Sequence, residues 1–415
     1  MMHTRKWLVG IVLSGAAVIL LVIISSLMHN PNRVIDQEVK VESSIECWVY
    51  TKELAEYMKD FEKQNPQYNV EVRGFSSAEQ LYEELSAAIS ANAAPNLAEI
   101  NGIYGVAQLA DSGMLISLKD HLAPDVWQKL HPAFVSQFTY KEAYWALPIG
   151  GEIPVVYYNA NLAKHANLDL NQRLGDLAQL KYTAEKLTID VNKDGEPDIW
   201  GLGVDSKTPW FFMNWVNRHN LLDDRNEAWL VPLHLWQQLV FDYRVMKPLH
   251  HQLALSDFIN GNVGLFISSS SRTLLLDRYI GGKFSYNVLS FPIFEGGQII
   301  PNASGLALIH SSSEKMQSAT RLMEYVIDLK QQKSMLQHTG LIPASTEAID
   351  LLISNEDTSS KEQAILEMQK QFMRITPNRS DYDRWEKLKE IIEKLESQAG
   401  LELEPLMNEL VVSSQ

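Results

Sequence analysis

The most specific chemical spacing in this chain is Asp190-x-Asn192-x-Asp194-Gly195-x-x-Asp198. Oxygen-bearing side chains at loop positions 1, 3 and 5, glycine at 6 for the sharp turn and an acid at 9 match a calcium loop. Position 12, ordinarily a bidentate Glu, is Gly201, so the set is short of ligands and its affinity is expected to be weak. The competing reading is an Asx-rich hairpin, in which the same oxygens bond their own backbone. Structural calcium at Asp190, Asn192, Asp194 and Asp198 is an expectation, and no cofactor is required.

No constellation supports catalysis. The 11 histidines are scattered, with no H-E-x-x-H, and there is no G-x-S-x-G. Asp223-Asp224 sit in a polar turn, where a solvated face is the default. The one cysteine, Cys47, alternates with Ile45 and Val49 and reads as a buried strand residue; alone it permits no intrachain disulfide. The chain reads as a binder, not an enzyme.

Thr4-Arg5-Lys6 precede Trp7–Met28, a run with no charged residue. At about 1.5 Å per residue such a run spans the roughly 30 Å hydrocarbon core. The cations before it place the N-terminus in the cytoplasm and the rest outside. An uncleaved anchor over residues 1–30 is expected; the alternative is a cleaved signal peptide and secretion, although Ser25-Ser26-Leu27-Met28 offers no good small-x-small site. Residues 31–42 are polar and read as a tether. The roughly 385 residues beyond Asn30 suit two domains. With 36 Lys+Arg against 51 Asp+Glu the net charge is −15, which argues against nucleic acid.

The elements alternate. Strand Ile45–Tyr50 leads into a helix with Leu54, Tyr57, Met58 and Phe61 on one face. Strand Tyr68–Arg73 follows, then a helix with Leu81, Leu85, Ala88 and Ile89. Pro95–Ala98 reads as a short strand and Ile103–Ser112 as a helix closed by Gly113. Phe258–Ser271, Asn287–Pro292 and Leu306–Ile309 read as strands, and Lys315–Gln337 as one long amphipathic helix before Gly340. From Ser345 the chain reads as helical. Such alternation implies an α/β fold with mostly parallel sheets covered on both faces.

Several segments, taken in order, resemble one family. They are Cys47-Trp48-Val49 with Phe61–Pro66, Pro95–Ala98 with Leu109–Leu115, Tyr144–Pro148 with Val156–Asn159, Phe258–Gly264, and Thr339–Pro343. Together they are similar to extracellular solute-binding proteins of bacterial ABC importers, the group that includes maltodextrin- and glycerol-3-phosphate-binding proteins. The resemblance covers about residues 44 to 400. It implies a two-lobed periplasmic-binding-protein-like fold of class II, a Venus flytrap with ligand between the lobes. Lobe one would be 41–150 plus 293–338, and lobe two 154–290 plus 341–415. The Pro/Gly breaks at Pro148–Pro154 and Pro292–Gly297 suit hinges.

The resemblance also nominates ligand contacts. Trp210 and Trp385 match stacking aromatics, whose flat apolar faces suit a sugar ring. Glu99 falls where glycerol-phosphate binders carry a ligand-contacting Glu, with Asn101 and Tyr104 as neighbours. Glu152 replaces a small residue of that branch; its charge repels a phosphate and suits a neutral or cationic ligand. Ser270 lies in Ser268–Arg272, where sugar binders carry a Trp at the position of Ser271; Arg272 reads as solvent-facing. Ser304-Gly305 matches a Gly-rich strand entry where backbone meets ligand. The set hints at an uncharged sugar or polyol as ligand. The expected partners are that small molecule and ABC permease subunits, with the chain a monomer. One rival is a sensor subunit signalling to a membrane receptor. A second is a glycoside hydrolase, which needs two carboxylates about 5–10 Å apart; only Glu99 with Glu152 can be nominated.

Overall fold

The computed structural model describes residues 43–170, 174–205, 209–216, 227–248, 253–293 and 297–406. The expected anchor at 1–30 and tether at 31–42 lie outside them. Among the described residues no helix is long and apolar enough to cross a membrane.

Among the described residues twelve strands form the frame: β1 (Ser43–Val49), β2 (Tyr68–Gly74), β3 (Leu97–Asn101), β4 (Thr139–Tyr140), β5 (Ala143–Tyr144), β6 (Leu147–Glu152), β7 (Pro154–Asn159), β8 (Trp200–Val204), β9 (Val263–Ser269), β10 (Tyr286–Ser290), β11 (Asn302–Leu308) and β12 (Ile342–Pro343). One sheet has the order β12-β6-β11-β3-β1-β2 and another β10-β7-β9-β8; β4 and β5 make a small hairpin. β1 runs parallel to β2 and β3, and β8 parallel to β9, whereas β11 and β7 run against their neighbours, so both sheets are mixed and not mostly parallel as the alternation implied. β6 passes directly into β7, so the chain crosses between the sheets at Ile153. There the Ile153 N–H donates to Ser270 Oγ (3.1 Å) and Ser270 N–H donates to the Ile153 carbonyl (2.8 Å).

The periodic segments fold as their patterns dictate. Helix Leu54–Gln64 buries Leu54, Tyr57, Met58 and Phe61, the residues at i, i+3, i+4 and i+7. In helix Ala78–Ser90 only Leu81 and Leu85 are fully buried, and Ser77 caps its start by accepting from Gln80 N–H. Cys47 is fully buried, and burial beside Glu99 pushes its thiol up, so it stays a protonated core group.

Several boundaries differ from the sequence reading, and four of these differences matter for the site or the lobes. The strand expected at Pro95–Ala98 runs over Leu97–Asn101, which brings Glu99 and Asn101 into it. Phe258–Asn260 belongs to helix Ala254–Asn260, ended by Gly261 at positive φ, and strand begins only at Val263. The long helix from Lys315 is two, Ser313–Val326 and Leu329–Thr339. Asp328 breaks it by taking the cap position and accepting from Lys330 N–H. β12 pairs with Gly150 and Gly151, so the stretch just after Leu341 is joined to the first sheet, not the second lobe.

Candidate functional site

A cavity of about 370 Å³ lies between the two sheets, within the range of small-molecule sites. It gathers at the carboxyl ends of parallel strands, where the order β2-β1-β3 reverses direction. Residues just past β1 (Tyr50, Thr51, Glu53), past β2 (Ser76 to Glu79) and past β3 (Asn101, Tyr104) form one wall. The other wall follows β8 and β9: Asp205, Trp210, Phe211, Ser271 and Arg272, with Trp385 from helix Asp381–Ser397. Glu152 and Asn302 lie at the junction, on the ends of β6 and β11.

The walls touch. Helix Asp381–Ser397 packs on helix Glu227–Phe241, where Trp236 Nε1–H donates to Glu396 Oε1 (3.1 Å). Its first turn reaches the opposite wall: the Tyr382 ring lies 4.3 Å from Tyr82 and the Trp385 ring 4.7 Å from Tyr104. Just before it, Arg379 pairs with Asp111 at 2.5 Å. Gly340 permits a second close approach. Its φ is +78°, and a Cβ there would sit 2.8 Å from the Ser271 carbonyl.

Five expected contacts line this cavity: Asn101, Tyr104, Glu152, Trp210 and Trp385. Trp210 is 1% exposed and its Nε1–H donates to the Ile300 carbonyl at 2.8 Å, so only a ring edge or face is left for a ligand. Trp385 is 2% exposed, and among the described residues its Nε1–H has no partner; nor does Tyr104 Oη, on a residue equally buried. Burial of a donor without a partner costs about 1–3 kcal/mol, a cost that a ligand oxygen removes. Asn101 Oδ1 accepts from Ile103 N–H (2.8 Å), which shapes the turn after β3.

Three expected contacts do not line the cavity. Glu99 is fully buried and its oxygens are filled by the protein. Tyr50 N–H and Thr51 N–H each donate at 2.8 Å; Thr51 Oγ1–H and Ser304 Oγ–H each donate at 2.6 Å. Burial pushes its carboxyl up, and those four donors pull the other way. Glu99 therefore positions the Tyr50–Thr51 turn and does not reach a ligand, which also removes the carboxylate pair a glycosidase needs. Ser270 Oγ is occupied at the sheet crossing by Ile153. Gly305 faces packing: a Cβ there would meet the Phe138 ring at 2.8 Å.

Arg272, expected in solvent, lines the cavity with its guanidinium 3.4 Å from Asp205. Glu152 is held by neutral donors: Ser271 Oγ–H at 2.7 Å, Asn302 Nδ2–H at 3.3 Å, and Ser269 Oγ–H. Tyr50, Thr51, Glu53, Ser76 to Glu79 and Asn302 were not foreseen. Their common signal is position: all but Asn302 follow directly on a strand whose carboxyl end meets the cleft.

The acidic loop closes on itself. Asp190 accepts from Lys193 and Gly195 N–H, Asp194 from Glu196 N–H, and Asp198 from Val191 and Asn192 N–H. Asp194 accepting from Glu196 N–H is an Asx turn, and the others are bonds across the same loop. Among the described residues no three or more His, Cys, Asp or Glu side chains are grouped to hold a metal ion.

The fold has well-matched solved relatives. An ABC transporter solute-binding protein from Thermotoga lettingae, bound with α-D-tagatose, superposes with a TM-score of 0.77 at 19% identity, covering 90% of this chain and 98% of that one. A substrate-binding protein from Listeria monocytogenes in complex with cycloalternan gives 0.75 at 18%, covering 89% and 97%. The maltose/maltodextrin-binding domain of Bdellovibrio bacteriovorus bound to maltotriose gives 0.74 at 17%, covering 90% and 98%. A search of curated proteins finds no significant sequence match. The model of the bacterial extracellular solute-binding proteins matches residues 56–365. Two lobes, a cleft walled by both and that match lead to one conclusion: the chain belongs to the bacterial extracellular solute-binding proteins, extracytoplasmic carriers that bind a solute without transforming it.

Proposed function

We propose that this protein captures a carbohydrate or related polyol in the cleft between its lobes and delivers it to an ABC transporter. The observation that carries this reading is the lining of the cavity. Rings at Trp210 and Trp385 adjoin hydroxyls, amides and carboxylates from the opposite wall, with Tyr104 Oη and Trp385 Nε1 left without partners. Sugars present an apolar ring face and a rim of hydroxyls that need such a mixture. Three solved relatives of the same fold carry sugars, which supports the class of ligand. A ligand touching both walls stabilises the closed arrangement over the open one, and the closed form is what a permease recognises. No metal is needed for this.

The Trp7–Met28 run tethers the carrier to the membrane in this reading. Two measurements test it. Titration of the tryptophan fluorescence of the full chain with mono- and oligosaccharides is expected to saturate with at least one of them; a flat response to all sugars and polyols refutes the ligand class. Carbonate washing of membranes from expressing cells is expected to leave the chain in the pellet at its full mass. Release at a lower mass refutes the tether and leaves the ligand reading intact.

A further inference from the structure

The sequence hints at an uncharged ligand, but the charges around the cavity are lopsided. Among its described lining residues are the carboxylates Glu53, Glu79, Glu152 and Asp205, against one cation, Arg272, which already lies beside Asp205. Glu152 meets three neutral donors and no cation. The carboxylates of Glu53 and Glu79 make no hydrogen bond or ion pair among the described residues. Glu79 sits in the first turn of helix Ala78–Ser90.

We propose that the carbohydrate taken by this cleft carries a positive charge, as a sugar with a free amino group whose ammonium is met by Glu53, Glu79 and Glu152. This rests on the carbohydrate reading above and adds the charge. Closing two walls on a neutral sugar returns only hydroxyl donors to these carboxylates for the water stripped from them, whereas an ammonium also offsets their charge. The acidic residues are not the sole pointer to a ligand. Tyr104 and Trp385, each about 2% exposed, line the same cavity, and among the described residues Tyr104 Oη and Trp385 Nε1 have no partner, which leaves them for oxygens of the sugar. The fields of the acids converge on this space. The Tyr50 phenol is pushed well up by burial first, then by Glu99, with Glu152 and Glu79 adding to it. Tyr104 is likewise raised by burial and next by Glu79.

The test is calorimetric titration of the full chain with matched sets built on glucose, galactose and mannose, as monosaccharides and disaccharides. Each set contains the parent sugar, the amino sugar, its N-acetyl derivative and the uronic acid. The amino member of one set is expected to bind about tenfold or more tighter than its acetylated counterpart at low salt. That advantage is expected to shrink at high salt and in Glu79→Gln, where the acetylated sugar loses less affinity than the amino sugar. If parent or acetylated sugars bind as tightly as amino sugars, the charge is refuted and the carbohydrate reading stands. A uronic acid binding tightest refutes it in favour of Arg272 as the selective group. Silence from every member of every set refutes both readings.

Discussion

The wall built from the six-stranded sheet meets the cleft with hydroxyls, an amide and carboxylates, Thr51, Ser77, Asn101 and Glu79 among them. The wall built from the four-stranded sheet adds rings, at Trp210, Phe211 and Trp385, to the polar Asp205, Ser271 and Arg272. The first is assembled from loops following three parallel strands, so its polar groups are held by backbone geometry. The second is held by packing: Trp210 and Trp385 are almost wholly buried. One wall is suited to recognise charge and hydroxyl pattern, the other to recognise a flat apolar face. Two carboxylates make the same point on a smaller scale. Glu99 spends all its acceptors on the protein, and Glu152, one strand pair away, stays at the cavity surface.

The largest effect separates those two acids. Glu99→Ala leaves two backbone N–H groups and two hydroxyls without an acceptor in a dry place. It is expected to cost about 3–5 kcal/mol in urea unfolding and to abolish binding by loosening Tyr50–Thr51. Glu152→Ala frees only neutral donors at the cavity surface, so it is expected to cost about 1 kcal/mol while still weakening the ligand. Equal stability losses from the two would erase the distinction drawn between them.

The ring wall is next. Trp385→Ala removes a buried ring and is expected to cost about 3 kcal/mol of stability. Trp385→Phe keeps most of the packing and loses only the unpartnered N–H, so ligand affinity is expected to fall about five- to tenfold with the melting point little changed. A melting point that falls with affinity intact would make Trp385 a core residue only.

Acid separates two further groups. His131, packed between Phe134 and Phe372, is pushed down to about 4 from 6.5, by burial first and then by Arg374. It folds neutral, so its contribution is complete above pH 6.5 and is lost as pH falls toward 4. Asp381, at the start of the helix that bridges the walls, is raised by burial to about 6 from 3.8. It favours the protonated form, so its contribution is complete below pH 3.8 and is lost as pH rises through 6. Between pH 4 and 6 the two slopes oppose. Melting points are expected to fall with rising pH there in His131→Gln and to rise in Asp381→Asn.

The smallest effect belongs to the acidic loop. Its carboxylates already accept from the loop's own N–H groups, so calcium or a chelator is expected to move the melting point by less than about 1 °C. Asp190→Ala, which removes two of those acceptors at the surface, is expected to cost about 1 kcal/mol. A rise of several degrees with calcium would restore the metal reading.

Much of the frame was legible because it follows local rules. Leu54, Tyr57, Met58 and Phe61 could face only one way on a helix, and Cys47 could be buried in β1 by alternation alone. Asp328 was missed because apolar periodicity runs across it, although an Asp ahead of Leu329-Lys330 is a cap signal in its own right. Phe258–Ile259 look like strand by type, and burial in the neighbouring sheet's layer decides for helix. The site was less legible. Tyr104, Glu152 and Trp385 were reached through the resemblance. Glu99 was misplaced, because nothing in the sequence tells how many donors surround a carboxylate. Thr51, Ser77 and Arg272 are ordinary residue types made important only by which strand ends meet.

The central claim, that a sugar is held between the two walls, is tested most directly by thermal shift of the full chain against neutral and amino sugars, polyols and glycerol phosphates. At about 100 times its dissociation constant a bound ligand adds roughly 2.7 kcal/mol, a rise of a few degrees. The account predicts such a rise with a sugar, none with glycerol phosphate, and its loss when Glu79→Gln and Trp385→Phe are combined across the cleft. A rise with glycerol phosphate alone, or no rise with any sugar, would contradict it.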